Sequence, residues 1–204
     1  MISEEQYNRL HLLTKKYIDK NCIIRNKKMP GKLPGTTYTW MFYLRNGLFN
    51  HVFLSAISQM FIYKINKEIR NFDFQITGLE TGSTPLLSAI PLVAREYNLD
   101  INAFSIRKER KEYGLLNYIE GIPNKKPCLI VDDLCNSSAS MRRAYDILLA
   151  HKLTVFNYSF CIVNKVNKKI HDKKRIHTDM YMPNHNKIIY LFDLDDFNLY
   201  NPSH

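Results

Sequence analysis

The stretch Cys128-Leu-Ile-Val-Asp-Asp-Leu-Cys-Asn-Ser-Ser-Ala-Ser-Met141 joins an apolar run, two adjacent acids and a row of small polar residues. Carboxylates at the end of a strand can accept hydrogen bonds from two vicinal ribose hydroxyls, where a phosphate would be repelled. A turn of small residues opening a helix presents backbone N–H groups and the positive end of the helix to a phosphate. Asp132 and Asp133, followed by Asn136, Ser137, Ser138, Ala139 and Ser140, thus describe a cradle for a ribose 5-phosphate. The same residues also fit a plain turn followed by an ordinary helix cap.

Two further segments carry suitable chemistry. In Thr77-Gly-Leu-Glu-Thr-Gly-Ser-Thr-Pro85, residues Thr81, Gly82, Ser83 and Thr84 offer backbone and hydroxyl donors at a helix start. Alone, this segment reads better as a capped connection. Ile106-Arg-Lys-Glu-Arg-Lys-Glu-Tyr-Gly114 is a charge run, which in isolation fits a solvated loop just as well.

Positioning such residues requires strands that end where the polar groups begin. Phe74 to Thr77, Ile101 to Ile106, Pro127 to Val131, Thr154 to Val163 and Lys187 to Leu194 read as strands. The pattern of the third stops at Asp132 and Asp133. Helices are expected from Pro85 to Glu96, with a kink at Pro91, and from Ser140 to His151. This alternation points to an α/β fold with a mainly parallel sheet, whose ligands sit beyond the carboxyl ends of the strands. Ahead of it come an amphipathic helix capped by Ser3, a turn-rich connection from Lys27 to Thr37 and an aromatic run from Tyr38 to Leu44. A further helix is marked by Leu48, Val52, Ala56, Met60 and Phe61. Asn164 to His177 reads as a Lys-rich exposed excursion.

At 204 residues, with 45% hydrophobic and 24% charged, the chain suits one globular domain and not a disordered or fibrous one. A net charge of +10 fits a polyanionic partner: a small phosphate-rich substrate or, less favoured, nucleic acid. The four cysteines form no CxxC pair, which argues against a zinc knuckle or disulfide framework and fits a reducing, cytoplasmic setting. The N-terminus lacks a secretory pattern, and polar residues interrupt Leu48 to Ile65, so no membrane span is expected.

Taken in chain order, from Phe74 to Lys165, the three polar segments resemble the pyrophosphate loop, the basic loop and the PRPP-binding signature of type I phosphoribosyltransferases. The basic loop is similar to that of orotate phosphoribosyltransferases in particular. The resemblance implies a central mainly parallel sheet flanked by helices, with a small N-terminal hood. In that layout residues 1–70 form the N-terminal helices and hood, 71–165 the PRPP-binding core, and 166–204 the excursion and final strand. It implies transfer of ribose 5-phosphate from PRPP to a pyrimidine base, orotate giving orotidine 5′-monophosphate, with release of pyrophosphate. Lys111, Asp132 and Asp133 would then be catalytic. Arg107 and Lys108 match residues that hold pyrophosphate, together with Thr81, Gly82 and Ser83, and Tyr113 stands where the family commonly has His. Asn136 to Ser140 match the phosphate loop, here without any glycine. Lys32, ahead of Tyr38, Trp40, Phe42 and Tyr43, is similar to a base-recognising lysine. Lys165 stands where the family tends to have an arginine that pairs with the carboxylate of orotate. Mg²⁺ would be held mainly by PRPP, with Asp132 or Asp133 as its protein ligand, and the basic loop would be shared within a homodimer. Two other readings keep the fold: a PRPP-binding regulatory or nucleic-acid-binding protein with weakened catalysis, and a phosphoribosyltransferase for another base.

Overall fold

A computed structural model describes residues 1–30, 37–109, 117–165, 186–197 and 199. Lys32, Lys111 and Tyr113 lie outside the described residues. Helix α1 (Glu4–Asn21) opens as expected on Ser3. The Ser3 hydroxyl accepts from the Gln6 amide at 3.2 Å, while the Gln6 side chain accepts from the Ser3 amide at 2.9 Å.

Next comes a ribbon of two antiparallel strands, β1 (Ile23–Pro30) and β2 (Thr37–Phe42). The first replaces the start of the turn-rich connection expected from Lys27: its polar residues mask the strand pattern, but Arg25 and Met29 pair with Trp40 and Tyr38. The helix expected from Leu48 is divided. A short α2 (Arg45–Leu48) ends before Asn50, whose extended backbone and side chain, accepting from the Phe53 amide at 3.0 Å, start α3 (His51–Glu68).

The remaining elements are β3 (Gln75–Leu79), α4 (Thr84–Arg95), β4 (Ala103–Ile106), β5 (Ile119–Glu120), β6 (Cys128–Cys135), α5 (Ala139–Ala150), β7 (Val155–Asn164) and β8 (Lys187–Asp193). Helix α4 runs on through Pro91. Six strands form a sheet of order β5-β4-β3-β6-β7-β8, parallel except for β5. From β3 the chain crosses to β4 on one side and returns to place β6 on the other. The winding therefore reverses between β3 and β6, which opens a crevice at their carboxyl ends.

Both faces of the sheet are covered, so β6 reads as a continuous apolar run rather than an alternating one. Leu129, Val131, Phe160 and Ile162 join the core formed with α3 and α4, through Ile57, Phe61, Leu86 and Ile90. Cys128, Ile130 and Cys161 face the opposite way, onto Met141, Ala144 and Leu148 of α5.

Strand β6 does not stop at the acids but continues through Asp132 and Asp133 to Cys135, because β7 goes on pairing with it: Asp132 lies opposite Cys161, Leu134 opposite Val163 and Cys135 opposite Asn164. The acids end the apolar pattern without ending the ladder.

Candidate active site

The crevice is built by three turns that converge beyond β3, β4 and β6. At the end of β3 the strand runs so close to β6 that a Cβ on Gly78 would lie 2.2 Å from the Val131 carbonyl oxygen. The chain then turns through Glu80, Thr81 and Gly82 into α4. Gly82 is pressed against the acids: a Cβ there would stand 2.6 Å from Asp133 Oδ1 and 3.1 Å from Asp132 Oδ1. Glycine is required here for close approach, which lets this loop touch both carboxylates. Ser83 is buried and its hydroxyl donates to the Leu79 carbonyl at 2.7 Å, so that group secures the turn and does not line the cleft.

Asp132 is buried and Asp133 half-buried on the next residue. Asp132 Oδ1 accepts from the Asp133 amide at 2.9 Å. Burial holds the Asp132 carboxyl well above the ordinary carboxylate range, and the negative charge of Asp133 pushes it further the same way. Two acids side by side in a half-closed site thus carry repulsion that ribose hydroxyls or a cation would relieve.

After Cys135 the chain makes a tight bend into α5. Ser138 has φ 55°, in the left-handed region that favours glycine. Its hydroxyl makes no capping bond to the helix and lies 3.3 Å from Cys135 Sγ. The bend encloses a cavity of about 100 Å³ lined by Asp132 and by Asn136, Ser137, Ser138, Ala139 and Ser140.

A larger cleft of about 330 Å³ adjoins it, and Asp132, Leu134 and Ser140 line both. Its walls are Glu80, Thr81 and Gly82, Asp133, Lys108 and the end of the hood from Met41 to Arg45. Lys108 is held at its backbone: its N–H donates to Glu80 Oε1 at 3.2 Å and its carbonyl accepts from Arg143 of α5. Arg107 points elsewhere, its guanidinium 3.2 Å from Glu120 on β5, and does not line the cleft. Lys165 also stands apart from the lining. Its ammonium sits 4.9 Å from the centre of the Trp40 ring, and burial lowers its pKa.

The structure therefore gathers Thr81, Gly82, Lys108, Asp132, Asp133 and Asn136 to Ser140 around two joined cavities, and leaves Ser83, Arg107 and Lys165 beside them. Sequence reasoning missed Glu80, Arg45 and Arg143. Each is an ordinary surface charge by type, and only the folding of hood, loop and α5 onto one crevice distinguishes it. No group of three or more His, Cys, Asp or Glu among the described residues is placed to hold a metal. Nor is any described helix long and apolar enough to cross a membrane.

No family model matches the chain. Its architecture is that of solved phosphoribosyltransferases. A phosphoribosyltransferase from Corynebacterium diphtheriae superposes with a TM-score of 0.71 over 92% of this chain and 98% of its own, at 16% identity. Orotate phosphoribosyltransferase from Mycobacterium tuberculosis gives a TM-score of 0.68 over the same shares, at 15% identity. The chain thus has the type I phosphoribosyltransferase fold, a central mainly parallel sheet flanked by helices. In sequence it is similar to orotate phosphoribosyltransferase of Leptospira biflexa, 31% identical over 114 residues. That match spans 55% of this chain and 60% of the relative's length. The resemblance to type I phosphoribosyltransferases of the orotate kind holds in both comparisons.

Proposed function

We propose that this chain is a PRPP-dependent phosphoribosyltransferase of the orotate kind, which joins the ribose 5-phosphate of PRPP to a ring nitrogen of a pyrimidine base and releases pyrophosphate. The observation that carries the reading is the acid pair: Asp132 lines both the large cleft and the small cavity of the Asn136–Ser140 bend, and Asp133 lines the large cleft beside it. A sugar bearing phosphates at both ends matches that layout, with its 5-phosphate in the small cavity and its pyrophosphate toward Lys108 and the Glu80–Gly82 turn.

The chemistry asked of the protein is positioning and electrostatics. The bond between C1 and the pyrophosphate oxygen breaks as the base nitrogen bonds to C1, and pyrophosphate leaves with the electron pair. Asp132 and Asp133 accept from the ribose hydroxyls, and their negative field favours the positive charge that grows on the ring. Lys108 faces the departing charge, and Lys111 of the basic run is proposed to join it, while Arg107 stays paired with Glu120. Asp132 and Asp133 suit Mg²⁺, which takes most of its oxygens from water and substrate phosphates; one of them would hold it, and when bound it would neutralise the pyrophosphate. A homodimer in which the basic loop serves the neighbouring site, in the cytoplasm, completes the proposal.

The direct assay incubates the purified protein with PRPP, Mg²⁺ and a panel of pyrimidine and purine bases while pyrophosphate is recorded. Base-dependent release, fastest with orotate, is the expected result. Failure of every base to elicit release would refute phosphoribosyl transfer and leave a ligand-binding role for the fold.

A further inference from the structure

Within this reading, the base must enter the 330 Å³ cleft beside three carboxylates, Glu80, Asp132 and Asp133, all of which line it. An acidic substituent on the base would be repelled there unless a cation received it. Lys165, the residue resemblance suggested, is engaged with the Trp40 ring and lies outside the lining. Two cations do line the cleft, Lys108 and Arg45. Lys108 is anchored by its backbone to the Glu80 turn on the pyrophosphate side. Arg45 comes from the hood instead, directly after Phe42, Tyr43 and Leu44 of the same wall, and is paired with no described carboxylate.

We propose that Arg45 is the specificity-determining residue for the base, its guanidinium receiving a carboxylate carried by a planar ring that lies against the hood wall. A guanidinium offers two parallel donors to a carboxylate, a geometry that a lysine ammonium lacks. The site therefore selects an anionic base, of which orotate is one, against the neutral analogue of the same shape. This inference rests on the phosphoribosyl-transfer reading and adds to it the residue that sorts substrates.

Arg45 is exposed, so its replacement leaves the core untouched. The experiment compares the unaltered protein, Arg45→Gln and Arg45→Lys, checked for equal melting temperature, with orotate and with its neutral carboxamide. The quantity read is kcat/KM for each base and KM for PRPP. The preference for orotate over the carboxamide should fall about ten- to a hundredfold in Arg45→Gln and by a smaller factor in Arg45→Lys. The KM for PRPP should stay within about threefold. An unchanged preference would overturn the assignment. So would a KM for PRPP that rises equally with both bases, which would put Arg45 on the pyrophosphate. Should the unaltered protein use only uncharged bases, the assignment of Arg45 fails while phosphoribosyl transfer stands; should no base release pyrophosphate, both fail.

Discussion

At Asp132 the demands of folding and of chemistry oppose each other. Burial and the neighbouring charge of Asp133 raise its carboxyl above the ordinary value of 3.8. Between 3.8 and that raised value the folded protein keeps a proton that the unfolded chain has lost, so this group's contribution to stability declines as pH rises through the window. Asp132→Asn keeps the shape and the acceptor for the Asp133 amide but cannot ionise. The variant should melt roughly 2–4 °C higher at neutral pH, read by calorimetry, and the gain should vanish below the window. On the proposed function, kcat/KM for PRPP in the unaltered protein should rise with pH through this window, and the variant should lack that rise. The acid pair was legible in the sequence because two acids after an apolar run are rare in a core strand. Arg45 and Glu80 were not, since nothing in their residue types separates them from other surface charges until the hood and the β3 turn close on the same crevice.

The elements show how closely the loops must approach. Gly78 and Gly82 lie four residues apart, and each leaves no room for a methyl group, but against different neighbours. At Gly78 the obstacle is the backbone carbonyl of Val131, which cannot move without parting β3 from β6. Gly78→Ala should destabilise the protein by about 3 kcal/mol or more in urea unfolding. At Gly82 the obstacle is the end of the Asp133 side chain, which can rotate. Gly82→Ala should therefore fold with a cost near 1 kcal/mol and lose at least about tenfold in kcat/KM for PRPP. Helices α1, α4 and α5 and strands β3, β4, β7 and β8 were legible to within a few residues from apolar period and caps. Strand β1, rich in polar residues, and the two-residue β5 were not, because edge pairing needs no apolar signal. The length of β6 escaped for the same reason: its hydrogen-bond ladder with β7 continues where its hydrophobicity stops.

On the scale of the whole molecule, 15–16% identity to the solved relatives accompanies a shared architecture over 92% of the chain. In this chain the reversal of strand order between β3 and β6 places the crevice, and the sheet is covered on both faces. The net charge of +10 says little about that crevice, whose lining holds three carboxylates beside two cations. On the proposed reading, selectivity for a sugar phosphate comes from this local arrangement and not from bulk charge. On the proposed function, the acid pair and the bend after it grip PRPP. Calorimetric titration of PRPP with Mg²⁺ tests it, using the unaltered protein and the Asp132→Asn, Asp133→Asn double variant. Saturable binding by the unaltered protein, weakened at least about tenfold in the folded double variant, is the predicted result. No binding to the unaltered protein, or equal binding to both, would contradict the account.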